Sequence, residues 1–211
     1  MTTSVAYAAP TRMLWSTAAE GMCALARGEL IILRHCARIV LVGCAGTVTT
    51  EQMAFVIRHS TGFVQVALHE RDCDRLGLPE ATPSLRTPSA PGYGQCVTVD
   101  ASSGTTTGIS GAERAHTARV LGDPRSGVDD FGRPGHVVPV RVNPDVLRDR
   151  LTVAASALAL TDIALPGFSG AVFADLEGVS DPTNTAGPCD AEALARRYGL
   201  TLVAPDEQTE R

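Results

Sequence analysis

A strand, a loop of small polar residues and a capped helix follow one another within residues 95–140, and this order constrains the fold more than any other feature. Apolar and polar residues alternate over residues 96–100, which predicts a half-buried strand. Residues 101–108 are almost all Ser, Thr or Gly. Ser110 and Glu113 have the spacing of a capping box, so we expect a helix to begin there and end near residues 122–124. His136 then stands at the entrance to an apolar strand.

The junction of this loop with the helix predicts an anion-binding site. Backbone N–H groups at a helix N-terminus lack intrahelical partners, and the helix dipole favours negative charge there. Two simpler interpretations stay open from the residues alone. The loop is also what an ordinary capped helix requires, and His136 is equally explained as a structural residue bonded to backbone.

The remaining chain alternates irregularly between strand and helix patterns, which favours a single α+β domain of layered elements over residues 1–211. We expect a core over residues 12–204, with a loose N-terminal arm and a frayed C-terminal tail. Predicted helices cover residues 12–27, 49–57, 69–78, 110–122, 144–165 and 191–198, the last capped by Asp190. Predicted strands cover residues 29–33, 39–42, 63–68, 96–100, 137–142, 171–176 and 200–203. The Pro-rich residues 83–93 are the predicted substrate-covering loop.

Composition excludes several classes of function. The net charge of −5 and the lack of any basic cluster argue against nucleic-acid binding. No apolar run has the length of a membrane span, and no secretory signal is evident, so we expect a cytoplasmic protein. The chain contains no lysine, which excludes Schiff-base chemistry and a P-loop. Its six cysteines lack a C-x-x-C pair, which disfavours structural zinc and indicates reduced thiols.

Three motifs resemble one enzyme family. TTTGISGAERA (residues 105–115), RPGHVVPVR (residues 133–141) and TEQMAFVIRHSTGFV (residues 50–64) are similar to segments of 3,4-dihydroxy-2-butanone 4-phosphate synthase. That family supplies riboflavin synthesis with its four-carbon unit. The resemblance spans roughly residues 20–204. It implies the family's mixed α/β layered fold, a small-molecule substrate and a homodimer with active sites near the interface.

The resemblance fails where the family binds metal. The family converts ribulose 5-phosphate with loss of formate, using magnesium or manganese held by an acidic loop after the first strand and by a histidine. Here that loop is replaced by residues 34–38 (RHCAR), which contain no carboxylate, and Leu151 stands in place of the histidine. Hard divalent cations require oxygen-rich sites. We therefore expect no metal site and no cofactor, with magnesium or manganese only if the chain is a true synthase.

Other positions match the family and give a predicted site. The predicted substrate- or anion-binding residues are Arg34, Arg38, Thr106, Thr107, Arg148 and Thr152. In this prediction Arg34 or Arg38 supplies the positive charge that the metal supplies in the family.

His136 is the predicted acid–base residue, because imidazole titrates near neutrality. Asp175 is the second predicted catalytic residue, as a base or as the group that orients one; a solvated strand-end carboxylate is the alternative. Cys36 beside His35 suggests a thiolate nucleophile, although neighbours on an extended segment point to opposite faces.

Three functions follow from this pattern. The first is a metal-independent lyase, isomerase or cyclase that performs acid–base chemistry on a carbonyl-bearing anionic substrate, in specialised biosynthesis. The second is a genuine 3,4-dihydroxy-2-butanone 4-phosphate synthase. The third is a non-catalytic, ligand-binding homologue. The loss of the metal ligands, with His136, Arg148 and Thr152 retained, favours the metal-independent enzyme.

Overall fold

Runs of β-branched and other apolar residues form an eight-stranded mixed sheet that is covered by helices on both faces. The computed structural model describes residues 16–81, 93–143, 152–179, 181 and 183–204. The strands are β1 Ile31–His35, β2 Arg38–Cys44, β3 Gln65–His69, β4 Tyr93–Gln95, β5 Val99–Ala101, β6 Phe131–Val142, β7 Ala171–Asp175 and β8 Thr201–Val203. The helices are α1 Ala18–Ala26, α2 Thr50–His59, α3 Glu70–Arg75, α4 Gly111–Gly122, α5 Val153–Ala164 and α6 Pro188–Tyr198. In these described stretches no helix has the length and apolarity that crossing a bilayer requires.

Side-chain caps fix where the helices begin. Three helices begin with a complete capping box, formed by Thr17, Thr49 and Ser110. The hydroxyl of each capping residue accepts a hydrogen bond from the backbone N–H three residues on, and the Glu or Gln side chain at that position accepts one from the backbone N–H of the capping residue. These boxes confirm the predicted starts of α2 and α4. Asp190 takes part in the cap of α6 by accepting from the N–H of Gly187 at 3.3 Å, but it is not the N-cap. Gly187 is the N-cap of α6, and Asp190 lies inside its first turn. Gly199 ends α6 in the left-handed conformation, as predicted.

The sheet order is β4-β6-β3-β7-β2-β1-β8, with β5 added alongside β6. β1 and β2 form an antiparallel hairpin, and β3 and β6 are parallel neighbours. β7 lies between β2 and β3 and is antiparallel to both. The central strands are therefore β3 and β7, whose buried apolar residues provide the middle of both cores.

Alternate residues of each strand enter different hydrophobic clusters, one on each face of the sheet. One cluster contains Ile32, Leu41 and Val66 together with residues of α2, α4 and α6. The other contains Ala67 and Phe173 with residues of α1 and α5. We refer to this second face as the α5 face. The observed layers confirm the predicted α+β class.

Several predicted boundaries change. β6 begins at Phe131 rather than Val137, so His136 lies inside a strand instead of at its entrance. The predicted charged loop 34–38 is a tight hairpin turn, since His35 and Arg38 are already paired across β1 and β2. α1 begins at Ala18, because Thr17 caps it there. The predicted loop 83–93 lies outside the described residues except for Tyr93, which opens β4.

Candidate active site

An imidazole–carboxylate pair forms where β5 meets β6. The Nδ1 atom of His136 lies 2.8 Å from Oδ2 of Asp100, and the backbone N–H of His136 donates to Oδ1 of the same carboxylate at 2.9 Å. Asp100 is largely covered, with 17% of its side chain exposed, whereas His136 is 40% exposed. A carboxylate that accepts from Nδ1–H leaves Nε2 as the free ring nitrogen. The pair is therefore oriented for proton transfer at Nε2.

Two glycines allow the chain to approach this pair closely. Gly108 has a φ of +75°, and a Cβ built on it would lie within 3.0 Å of three carboxylate atoms of Asp100. A Cβ on Gly135 would collide with the backbone of Val99 and Asp100. Both positions exclude any larger residue without rearrangement. The loop glycine and the strand glycine thus hold the Asp100 carboxylate against His136.

The registers bring more polar residues to the same end of the α5 face. Val138 of β6 pairs with Gln65 of β3, and Gln65 also pairs with Phe173 of β7. Asp175 lies two residues after Phe173 on β7, and β7 is two strands from β6, which carries His136. Across the next ladder, Arg38 binds Asp175 in a two-pronged ion pair of 2.8 and 2.7 Å. This row of polar groups lines the end of an otherwise apolar sheet face.

The N-terminus of α5 faces this row. Thr152 is the N-cap of α5, and its hydroxyl accepts from the N–H of Ala155 at 3.2 Å. One turn further on, Oγ of Ser156 lies 3.2 Å from Nδ1 of His35 at the end of β1. The helix dipole adds positive potential where Thr152 stands. Arg148, the other residue that the sequence predicts to bind anions with Thr152, lies outside the described residues.

The predicted anion site at Thr106 and Thr107 is already filled by a side chain of the protein. The carboxylate of Glu113 accepts from the backbone and hydroxyl of Thr106, from the backbone of Thr107 and from the backbone and hydroxyl of Ser110. These hydrogen bonds, those from Thr106 foremost, hold the pKa of Glu113 far below its usual value. Both threonines bind Glu113, because the capping-box glutamate reaches back over the loop. That Thr106 and Thr107 also bind substrate stays a prediction.

The β1–β2 hairpin separates the residues that the sequence grouped together. His35 and Arg38 lie on the α5 face, whereas Arg34 alternates with them and faces the α2 and α6 side, next to its ladder partner Ile39. Cys36 is at the exposed tip of the turn, with a φ of +52°. The catalytic roles of Cys36 and His35 stay predictions, and Arg34 lies on the opposite face of the sheet from His35 and Arg38.

The described residues do not fit a divalent metal. They contain no group of three or more His, Cys, Asp or Glu side chains arranged to hold an ion. Both carboxylate oxygens of Asp175 are bound by Arg38, and Asp100 is bound by His136. Mg²⁺ and Mn²⁺ require several oxygen ligands in one place. A guanidinium and an imidazole stand here instead.

Four site residues were not predicted from sequence. Asp100 ends the predicted strand 96–100, and a carboxylate at a strand end was the only signal in the sequence that could have marked it as a site residue. Gln65 is only 2% exposed, and its Oε1 accepts from Gln95 at 3.5 Å. Glu113 was recognised only as a cap, and Ser156 only as a helical residue. Each makes its contact with a residue from another element or loop, which local patterns do not reveal.

Comparisons with known proteins agree with the resemblance seen in the motifs. A family model described as 3,4-dihydroxy-2-butanone 4-phosphate synthase matches residues 20–208. The riboflavin biosynthesis protein RibBA of Salinispora arenicola is 37% identical over 163 residues, which are 77% of this chain and 38% of that protein. RibBA of Nocardia farcinica is 46% identical over 164 residues, which are 78% of this chain and 39% of that protein. The chain thus spans about two fifths of the length of these relatives.

Solved structures of the synthase share the fold. A crystal structure of 3,4-dihydroxy-2-butanone 4-phosphate synthase in complex with two magnesium ions superposes with a TM-score of 0.79 and 30% identity. The superposition covers 90% of this chain and 93% of the synthase chain. The enzyme of Candida albicans gives a TM-score of 0.78 at 30% identity, over 90% of this chain and 94% of that one.

Proposed function

The chain belongs to the 3,4-dihydroxy-2-butanone 4-phosphate synthase family, and from that membership we propose that it is an enzyme performing acid–base chemistry on a phosphorylated keto sugar. The observation that carries the proposal is the His136–Asp100 pair, which leaves Nε2 of His136 free at the end of the sheet. The predicted family and fold are both confirmed by the comparisons. The proposed reaction class is that of a lyase.

The proposed reaction is conversion of ribulose 5-phosphate to 3,4-dihydroxy-2-butanone 4-phosphate with release of formate. Identities of 36–46% to RibBA proteins and the shared fold favour this synthase over the metal-independent enzyme that the sequence analysis places first. Residues of this chain contribute to the reaction in two ways. His136 takes a proton from carbon next to the carbonyl and returns it at Nε2, while Asp100 stabilises the imidazolium that forms.

Charge at the end of the sheet supports this chemistry. Removing a proton next to a carbonyl produces an enediolate, whose negative oxygens need a positive partner. Arg38 is held by Asp175 and is 41% exposed, so a guanidinium charge stands at the solvent-accessible end of the sheet. We propose that Arg38 binds the substrate oxygens, and that Thr152 with Arg148 binds the phosphate at the start of α5.

A second candidate function is favoured by one specific observation. The described residues provide no carboxylate or histidine cluster for a divalent metal, whereas a solved relative is titled as a complex with two magnesium ions. A family member without that donor set would suit a metal-independent isomerase, lyase or cyclase acting on another carbonyl-bearing anion. Both candidates use His136 in the same role.

One experiment distinguishes the two candidates. Ribulose 5-phosphate is incubated with the protein in deuterated water, once with magnesium and once with a chelator, and products are followed by NMR. Formate that appears with magnesium and is lost with the chelator supports the synthase. Deuterium incorporation next to the carbonyl without formate, equal in both samples, supports the metal-independent enzyme. If neither formate nor deuterium appears, acid–base chemistry on this sugar is refuted.

Three organisational features complete the proposal. We propose that residues 1–211 form a single domain with its core over about residues 12–204, since the hydrophobic clusters lie on the two faces of one continuous sheet. We also propose a homodimer with active sites near its interface and a cytoplasmic location, as the resemblance and composition predict. Size-exclusion chromatography with light scattering tests the dimer, for which a mass near 44 kDa is expected from a 22.0 kDa chain.

A further inference from the structure

The loop between β5 and α4 touches the imidazole–carboxylate pair at one residue. Within residues 102–110, all of which the structure describes, Gly108 is the one buried residue. A Cβ on Gly108 would lie within 3.0 Å of three carboxylate atoms of Asp100, so the backbone of Gly108 packs directly against that carboxylate. The same carboxylate accepts from the N–H and lies against Nδ1 of His136. The position of Gly108 therefore bears on the group that orients His136.

The carboxylate of Glu113 holds the loop on both sides of Gly108. Its Oε1 accepts from the hydroxyl of Thr106 at 2.8 Å and from the N–H of Thr107 at 3.2 Å, just before the glycine. Its Oε2 accepts from the N–H of Ser110 at 3.2 Å and from the hydroxyl of Ser110 at 2.9 Å, two residues after the glycine. One carboxylate thus joins the two arms of the turn that carries Gly108.

These hydrogen bonds exceed what the start of a helix requires. In a capping box, the acidic side chain returns a hydrogen bond to the backbone of the N-cap residue. Glu20 has the same position in α1 and accepts from the backbone and hydroxyl of its N-cap Thr17. Glu113 also reaches Thr106, four residues before its own N-cap. The additional bonds of Glu113 shape the loop and are not needed to begin α4.

Two further residues of α4 hold the first half of the loop. Thr117 is fully buried, and its hydroxyl accepts from the N–H of Ala101, the last residue of β5, at 3.0 Å. Nε2 of His116 lies 2.9 Å from the carbonyl oxygen of Ser103. With its beginning fixed by Thr117 and His116, the loop depends on Glu113 for the conformation of its second half.

We propose that Glu113 is a positioning residue for the candidate active site, because it holds Gly108 against Asp100 and thereby keeps Nε2 of His136 available for proton transfer. This inference rests on the proposed function of His136. Without Glu113 the two arms of the turn separate, and the Asp100 carboxylate gains room to rotate. Its hold on Nδ1–H then weakens, and the neutral imidazole divides between its two tautomers. One of these tautomers carries the proton on Nε2 and cannot act as the base there.

The experiment reads the tautomer of His136 directly. The ring-nitrogen chemical shifts of isotope-labelled wild type and Glu113→Ala are measured by NMR at a pH where the imidazole is neutral. The chain has five histidines, so the spectrum of His136→Asn assigns the signals of His136. We expect Nδ1–H with unprotonated Nε2 in wild type and averaged shifts in Glu113→Ala, approaching those of Asp100→Asn. We expect formate release by Glu113→Ala to fall by up to about 100-fold.

Three variants separate positioning from helix capping. Glu20→Ala is the matched control, since it removes the acid of another capping box, and we expect the His136 signals to stay as in wild type. Glu113→Gln keeps the length of the side chain and one acceptor oxygen, so we expect it to preserve most of the wild-type tautomer. Glu113→Asp keeps the charge that favours a helix start but is one methylene too short to reach Thr106. We expect Glu113→Asp to resemble Glu113→Ala at His136, and it decides the test if the alanine variant does not fold.

The tautomer does not depend on turnover, so the two proposals fail separately. Wild-type shifts at His136 in folded Glu113→Ala or Glu113→Asp overturn the positioning role, even if wild type releases formate. An equal change in Glu20→Ala also overturns it. Altered shifts in Glu113→Asp together with an inactive wild type refute the proposed reaction and support the positioning role.

Discussion

Replacing Gly108 with alanine tests how tightly the loop holds Asp100. Gly108 has a φ of +75°, and a Cβ there would lie within 3.0 Å of three carboxylate atoms of Asp100. The left-handed backbone costs an L-residue about 1 kcal/mol, and the clash adds about 1–3 kcal/mol because the carboxylate is fixed by two bonds to His136. We expect the variant to unfold about 4–16 °C below wild type.

Gly62→Ala is the matched control for this prediction. Gly62 has nearly the same φ of +72°, and a Cβ there meets nothing within 4 Å. It carries the backbone cost alone, so we expect a loss of about 2–4 °C.

A double-mutant cycle isolates the clash. In an Asp100→Ala background, Gly108→Ala has no carboxylate to meet and is expected to cost only about 1 kcal/mol. Thermal unfolding followed by circular dichroism measures all of these variants. Equal melting temperatures for Gly108→Ala and Gly62→Ala, or equal costs of Gly108→Ala with and without Asp100, would refute the reasoning.

Three further predictions concern proton transfer, helix capping and pH. Asp100→Asn should lower kcat with little change in KM, because it removes the orientation of His136 without touching the substrate; an unchanged kcat contradicts this. Thr49→Ala should destabilise the protein by about 1 kcal/mol through loss of the α2 cap, whereas Thr49→Ser should be close to neutral in the same denaturant titration. The pKa of His59 is lowered in the folded protein, first by burial and then by the charges of Arg58 and Arg197. His59 therefore binds a proton more readily in the unfolded protein than in the folded one. The resulting stability is present above the ordinary histidine pKa and is lost as pH falls through the lowered one. The melting temperature of wild type should therefore drop more than that of His59→Gln between pH 7.5 and pH 5, and parallel curves would rule this out.

Local patterns predicted the elements well where one residue determines a boundary. Thr49 and Ser110 fix helix starts through their own hydroxyls, so the capping spacing alone located α2 and α4. The sheet face on which each side chain of the β1–β2 hairpin lies was not predictable in the same way. It depends on the turn at Cys36, and a shift of one residue exchanges the faces of Arg34 and His35.

The candidate site was predicted in part, because its contacts are long-range. His136 was identified from its motif, but its partner Asp100 is 36 residues away and is brought to it by the pairing of β5 with β6. Arg38 and Asp175 were both named, yet their ion pair spans 137 residues of sequence. Glu113 was recognised as a cap, whereas its reach to Thr106 depends on the conformation of the whole loop.

The most direct measurement of the central claim compares formate release from ribulose 5-phosphate by wild type and by His136→Asn, at matched folded concentration and with magnesium present. We expect formate from wild type and a rate lower by about 100–10,000-fold in the variant, because asparagine cannot accept and return the proton. Formate release by the variant at the wild-type rate would contradict the role given to His136.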